Sequence, residues 1–107
     1  MNLQQGNRIS TDSLIVLHIN PRFESRGRAV IVNSRGGRWG EEKRIEGSRN
    51  PLHCGANFLL TIRQQLNHFD IELNGSKAAE FKHRLLPDVA DSLFIEGDAI
   101  VDRILVF

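Results

Sequence analysis

The 107 residues contain no tyrosine, one tryptophan, one methionine, three prolines and a single cysteine. Each scarcity excludes something. With Cys54 alone there is no intrachain disulfide, so burial and hydrogen bonding must hold the fold, as in a protein made in a reducing compartment. Cys54 is itself expected to be a half-buried small residue without chemistry. No segment approaches the ~18 apolar residues of a membrane span, and the opening MNLQQGNRIS lacks the apolar core of a signal peptide. The expectation is a soluble, cytoplasmic chain with no membrane insertion, any extracellular action being reached by a route that needs no signal peptide. Neither charge is in excess, with 14 Lys+Arg against 13 Asp+Glu, so no bulk field draws the chain to nucleic acid or acidic lipid. Arginines crowd between Arg22 and Arg49, but Glu24, Glu41, Glu42 and Glu46 interleave with them. That stretch reads as an ion-paired, solvated face.

Helix signals are also scarce. Almost every apolar segment alternates with period two, which is the pattern of a half-buried strand. Strands are predicted over Ser13–Arg22, Ala29–Asn33, Glu42–Ile45, Asn57–Arg63, Phe69–Leu73, Ala78–Arg84, Ser92–Glu96 and Ile100–Phe107, with one helical turn over Pro87–Asp91. Asn74-Gly75 between two of these runs is a strong hairpin signal, because a type I′ turn needs positive φ at both positions. Many short strands with polar turns, and no repeats or linkers, imply one all-β domain over 1–107 built as an antiparallel sandwich.

Within this frame one constellation stands out. In a strand, His18, Asn20 and Arg22 share a face, while Ile15, Leu17 and Ile19 take the other. A row of imidazole, amide and guanidinium is unusual where only solubility is at stake. Pro21 cannot donate to a ladder, so the strand is expected to end, bulge or lie at an edge there, which frees Arg22 near a rim. Glu42 and Arg44 likewise share a face. Trp39, between Gly36-Gly37 and Gly40, is expected on a bend, where its indole stays exposed as a platform for the apolar face of a sugar ring. Asn33, expected at the end of its strand, brings another amide to this surface.

Other chemistry finds less support. His53, His68 and His83 show no metal-ligand spacing and no His/Asp/Glu cluster is evident, so no metal or other cofactor is expected. Glu41 and Glu42 are adjacent and so face opposite ways in a strand, which argues against a glycosidase carboxylate pair and against an enzyme.

The segments HINPRF, VN and WGEEKR resemble the signature of the galectin family, and MNLQQG, NPLHCGANFLLTI, FDIELNG, FKHRL and LFIEGD agree in the same order. The resemblance implies a galectin-type, concanavalin A-like jelly-roll sandwich and a lectin for lactose or N-acetyllactosamine-type β-galactosides on glycoproteins. It implies that His18, Asn20 and Arg22 bind the axial 4-hydroxyl of galactose, and that Asn33 and Glu42 take the 6-hydroxyl. Trp39 then stacks on the sugar, and Arg22, Glu42 and Arg44 reach the neighbouring residue, with Arg26 tuning an adjoining subsite. Family domains carry two further strands before the segment that MNLQQG resembles, so an N-terminally shortened sandwich is expected, with low thermal stability, homodimerisation or strand exchange. The competing expectation is a galectin-fold interaction module with weak or no sugar binding.

Overall fold

Alternation of apolar and polar residues organises the chain into antiparallel strands, seen in a computed structural model that describes residues 1–6, 13–24, 27–97 and 100–106. The strands are β1 (Asn2–Gln4), β2 (Ile15–Arg22), β3 (Ala29–Gly36), β4 (Arg38–Trp39), β5 (Lys43–Ile45), β6 (Leu60–Gln64), β7 (His68–Leu73), β8 (Ser76–Lys82) and β9 (Ser92–Phe94). One sheet runs β4-β3-β2-β1-β9, with β5 also pairing β3, and the other runs β6-β7-β8. The fold is an all-β antiparallel sandwich. Its helical content among the described residues is two short 3₁₀ turns, Gly47–Arg49 and Pro87–Val89.

The core lies between the sheets. Leu17 and Ile19 of β2 and Val30 and Val32 of β3 face Phe69, Ile71 and Leu73 of β7 and Phe81 of β8. Burying each of these larger side chains contributes roughly 1.5–3 kcal/mol before chain entropy is counted. Strand β7 is the plainest case, its residues alternating half-buried and buried from His68 to Leu73. The β7–β8 turn is the expected one: Asn74 and Gly75 have φ of 52° and 85°, closing the pair Leu73–Ser76. Asn74 does more than turn the chain, since its Oδ1 accepts the Leu59 N–H at 2.9 Å and so ties down the approach to β6.

Several expectations need correction. The ladder slips between Ile15 and His18, so Val16 joins the core cluster with Leu17 and Ile19 while Ile15, though buried, stands outside it. Strand β3 continues past Asn33 to Gly36, because β4 folds back and pairs with its last two residues. No strand forms over residues 100–106, which are exposed, and Phe107 lies outside the described residues. A strand needs a partner for its backbone groups, and among the described residues no neighbour pairs with this segment. Cys54 is exposed rather than half-buried, because it sits in a polar turn outside the core.

Candidate functional site

Strand β2 presents His18, Asn20 and Arg22 on the outer face of the larger sheet, all three half-buried, between fully buried Leu17 and Ile19 and half-buried Pro21. Register extends the row sideways. Asn33 stands opposite His18, Ile31 opposite Asn20, and Arg44 of β5 opposite Ile31. Ile31 is 2% exposed yet outside the core cluster, which marks it as the apolar floor of the row. Its role is legible only once three strands are in register.

His18 is held by its neighbours. Its Nδ1 lies 2.6 Å from Asn2 Oδ1, and the Asn2 amide nitrogen donates in turn to Gln4 Oε1 at 3.3 Å. With that amide so oriented its oxygen can only accept, so His18 donates from Nδ1 and leaves Nε2 with its lone pair. Burial, followed by the positive charges of the N-terminus, Arg22 and Arg35, pushes the imidazole down to about 4, against a smaller opposing pull from Glu42. The ring is neutral at physiological pH and presents an acceptor to the row.

Next to it the indole of Trp39 is 45% exposed, with its ring centroid 4.7 Å from that of His18 at an interplanar angle of 61°. The Arg35 guanidinium carbon lies 5.3 Å from the Trp39 ring centroid. Trp39, expected on a bend, lies instead in the two-residue strand β4, paired with Arg35. At the far end of the row Glu42 lies between two guanidiniums, 3.9 Å from Arg22 Nη2 and 3.9 Å from Arg44 Nη1. Arg44 is fixed from its other side by Glu46 at 2.9 Å. Glu42 precedes β5 rather than lying in it, which leaves its carboxylate beside both arginines. The Asn20 amide has no protein partner among the described residues and is available to a ligand.

Asn33, expected to bring an amide to this surface, is buried and engaged within the protein. It is 4% exposed; its Nδ2 donates to Gly40 O at 2.9 Å, and its Oδ1 accepts from Ser34 N at 2.8 Å and from Arg84 Nη1 at 3.0 Å. Arg26 lies outside the described residues. Asn2 and Arg84 were missed by sequence reasoning because each acts across strands on a residue distant in the chain. Arg35 and Glu46 are close in sequence to Trp39 and Arg44 and show their roles only once the side chains are placed.

A second polar group sits on the outer face of the smaller sheet. His68, Asp70 and Glu80 bring ligand-type atoms within 4.8 Å of one another, a cluster made by cross-strand register that linear spacing hid. Lys77 fills it, pairing with Asp70 at 3.2 Å and with Glu80. Desolvation alone would raise Asp70, but hydrogen bonds from Lys77, Gln65 and His68 outweigh it and hold the carboxyl below its ordinary range. The group is an ion-pair and hydrogen-bond network already engaged within the protein.

The geometry has parallels in known proteins. Residues 1–106 match the family model described as galactoside-binding lectin. Over 104 residues the chain is 31% identical to galectin-4 of Bos taurus, covering 97% of this chain and 30% of that protein. It is 38% identical over 93 residues to a 32 kDa β-galactoside-binding lectin of Haemonchus contortus, covering 86% of this chain and 31% of that one. The chain therefore spans about a third of the length of these relatives. A doubly substituted human galectin-16 superposes with a TM-score of 0.66 at 33% identity, over 78% of this chain and 56% of that chain.

Proposed function

As a member of the galactoside-binding lectin family, the galectins, the chain is, we propose, a non-enzymatic lectin domain for β-galactosides of the lactose or N-acetyllactosamine type. The observation that carries this reading is the exposed Trp39 indole 4.7 Å from His18, beside a row that continues through Asn20 and Arg22 to Glu42. A sugar hydroxyl donates one hydrogen bond and accepts two. Neutral His18 offers the acceptor, while Asn20 and Arg22 offer donors, so one axial hydroxyl of galactose satisfies all three. Glucose, with that hydroxyl equatorial, leaves them unpaired, and unpaired polar groups are what make a hydrogen-bonding site selective. Trp39 stacks on the C–H face of the galactose ring. Arg22, Glu42 and Arg44 reach the adjoining residue. Asn33 acts from below the surface, its amide being engaged within the protein.

Glu42, the carboxylate of the row, is paired with Arg22 and Arg44, which suits binding rather than service in the acid/base pair of a glycosidase. Each charge-assisted hydrogen bond contributes about 1.5–3 kcal/mol net of the hydration it replaces, against which the cost of immobilising the sugar must be set. A shallow, wet site then binds with a dissociation constant on the order of 0.01–1 mM, and strong attachment to a glycoprotein surface comes from multivalency.

Trp39 is the only tryptophan, so its fluorescence reports on the site directly. Lactose titration is expected to shift its emission while maltose does not. A folded sample whose emission ignores lactose would hand the function to the second reading, a protein-interaction module. That reading draws on the exposed apolar segment with Ile100 93%, Leu105 65% and Val106 86% accessible.

A further inference from the structure

We propose that Arg84, which lies outside the sugar row and reaches across from the other sheet, is the residue that positions Trp39. The effect on sugar affinity rests on the lectin reading above; the effect on the indole does not.

Arg84 follows β8 and spans the edge of the sandwich. Its guanidinium carbon lies 4.5 Å from the ring centroid of Phe81, a core residue 2% exposed, so its head group is seated on the second sheet. Its Nη1 donates to Asn33 Oδ1 of the first sheet at 3.0 Å. That bond and the one from Ser34 N–H together decide how the buried amide faces. With Oδ1 accepting from both Arg84 and Ser34, the nitrogen is left to donate to the carbonyl of Gly40. Gly40 N–H in turn donates to Ser34 O at 3.0 Å. The residue after Trp39 is thereby clipped to β3 through both of its backbone polar groups.

The clip is needed because β4 is only Arg38–Trp39, paired with Gly36 and Arg35. Two residues of ladder cannot hold an exposed indole in one direction. Fit supports the assignment. A Cβ built on Gly40 would stand 2.7 Å from Arg84 Nη1 and 3.3 Å from Asn33 Oδ1, and one on Gly36 would stand 2.9 Å from Leu85 Cδ2. Arg84 and Leu85 thus close over both sides of the hairpin that carries Trp39. Without the guanidinium, the buried Asn33 oxygen keeps only Ser34, and the amide holds Gly40 less firmly.

The test uses Arg84→Met, which keeps an apolar stem on Phe81 and loses the donor, with Arg84→Lys as the conservative variant. Gly40→Ala serves as an independent route, since its methyl displaces the guanidinium while Arg84 remains. Gly75→Ala, in the distal hairpin, controls for destabilisation alone. Trp39 emission and acrylamide quenching are measured without sugar, then lactose affinity, all well below the melting temperature. Arg84→Met and Gly40→Ala are expected to change indole quenching and to weaken lactose binding by roughly three- to tenfold, about one net hydrogen bond. Arg84→Lys should recover most of both, the double variant should be no worse than either single one, and Gly75→Ala should move neither. Unchanged quenching in both Arg84→Met and Gly40→Ala overturns the proposal; if Arg84→Met does not fold, Gly40→Ala decides it. A wild-type protein that ignores lactose, with quenching still altered by these variants, would sink the lectin reading and leave the role of Arg84 standing.

Discussion

In the proposed lectin site His18 serves a hydroxyl because it is neutral, and its surroundings keep it so down to about pH 4. Lactose affinity is therefore expected to be flat between about pH 5 and 8, and to fall as the ring protonates towards pH 4 and Nε2 turns from acceptor to donor. Stability carries the same signature. Between the ordinary histidine value of 6.5 and about 4, the unfolded chain binds a proton that the folded one does not. The His18 contribution therefore weakens as pH drops through that window and is constant below it. An NMR titration of the imidazole checks the first point; a His18 midpoint near 6.5 in the folded protein would contradict it. At the other end of the row, the 3.9 Å ion pairs of Glu42 are long and exposed, worth about 0–1 kcal/mol to the fold. Glu42→Ala should consequently cost lactose binding about tenfold or more while leaving the melting temperature nearly unchanged. A large drop in melting temperature would move Glu42 from ligand contact to scaffold.

Among the elements, the β7–β8 hairpin is the one most fully written into local sequence. Asn74-Gly75 supplies two positive φ angles, and the alternation of Phe69, Ile71 and Leu73 sets the face. Gly75→Ala is expected to cost about 1 kcal/mol, because alanine resists φ of 85°. Asn74→Ala should cost more, since it also strands the Leu59 N–H. Equilibrium urea unfolding measures both, and equal costs would show that the link to Leu59 adds nothing. Strand β2 was less legible. Period two placed His18, Asn20 and Arg22 on one face, but the slip after Ile15 put Val16 into the core cluster in place of Ile15. A bulge is a pairing defect, and pairing depends on a partner strand that local pattern does not contain.

For the whole molecule, the free sides of β6 and β9 are unpaired among the described residues, and Ile104, Leu105 and Val106 are exposed nearby in sequence to β9. Open edges and apolar side chains favour contact between copies. Sedimentation velocity is expected to show association that grows with concentration and recedes in an Ile104→Lys/Val106→Lys variant. A strict monomer across the range would contradict this. Composition and alternation were enough for the fold class, and the segments HINPRF and WGEEKR were enough to bring the sugar-row residues to notice. Those are short-range properties, since which face a side chain takes and which turn a dipeptide prefers are settled within a few residues. Only the tertiary structure decided that Asn2 sets the tautomer of His18, that Ile31 floors the row, and that Asn33 is tied to Arg84, 51 residues away. Those relations arise from strand register and from the contact between sheets, and neither is encoded at any single stretch of chain.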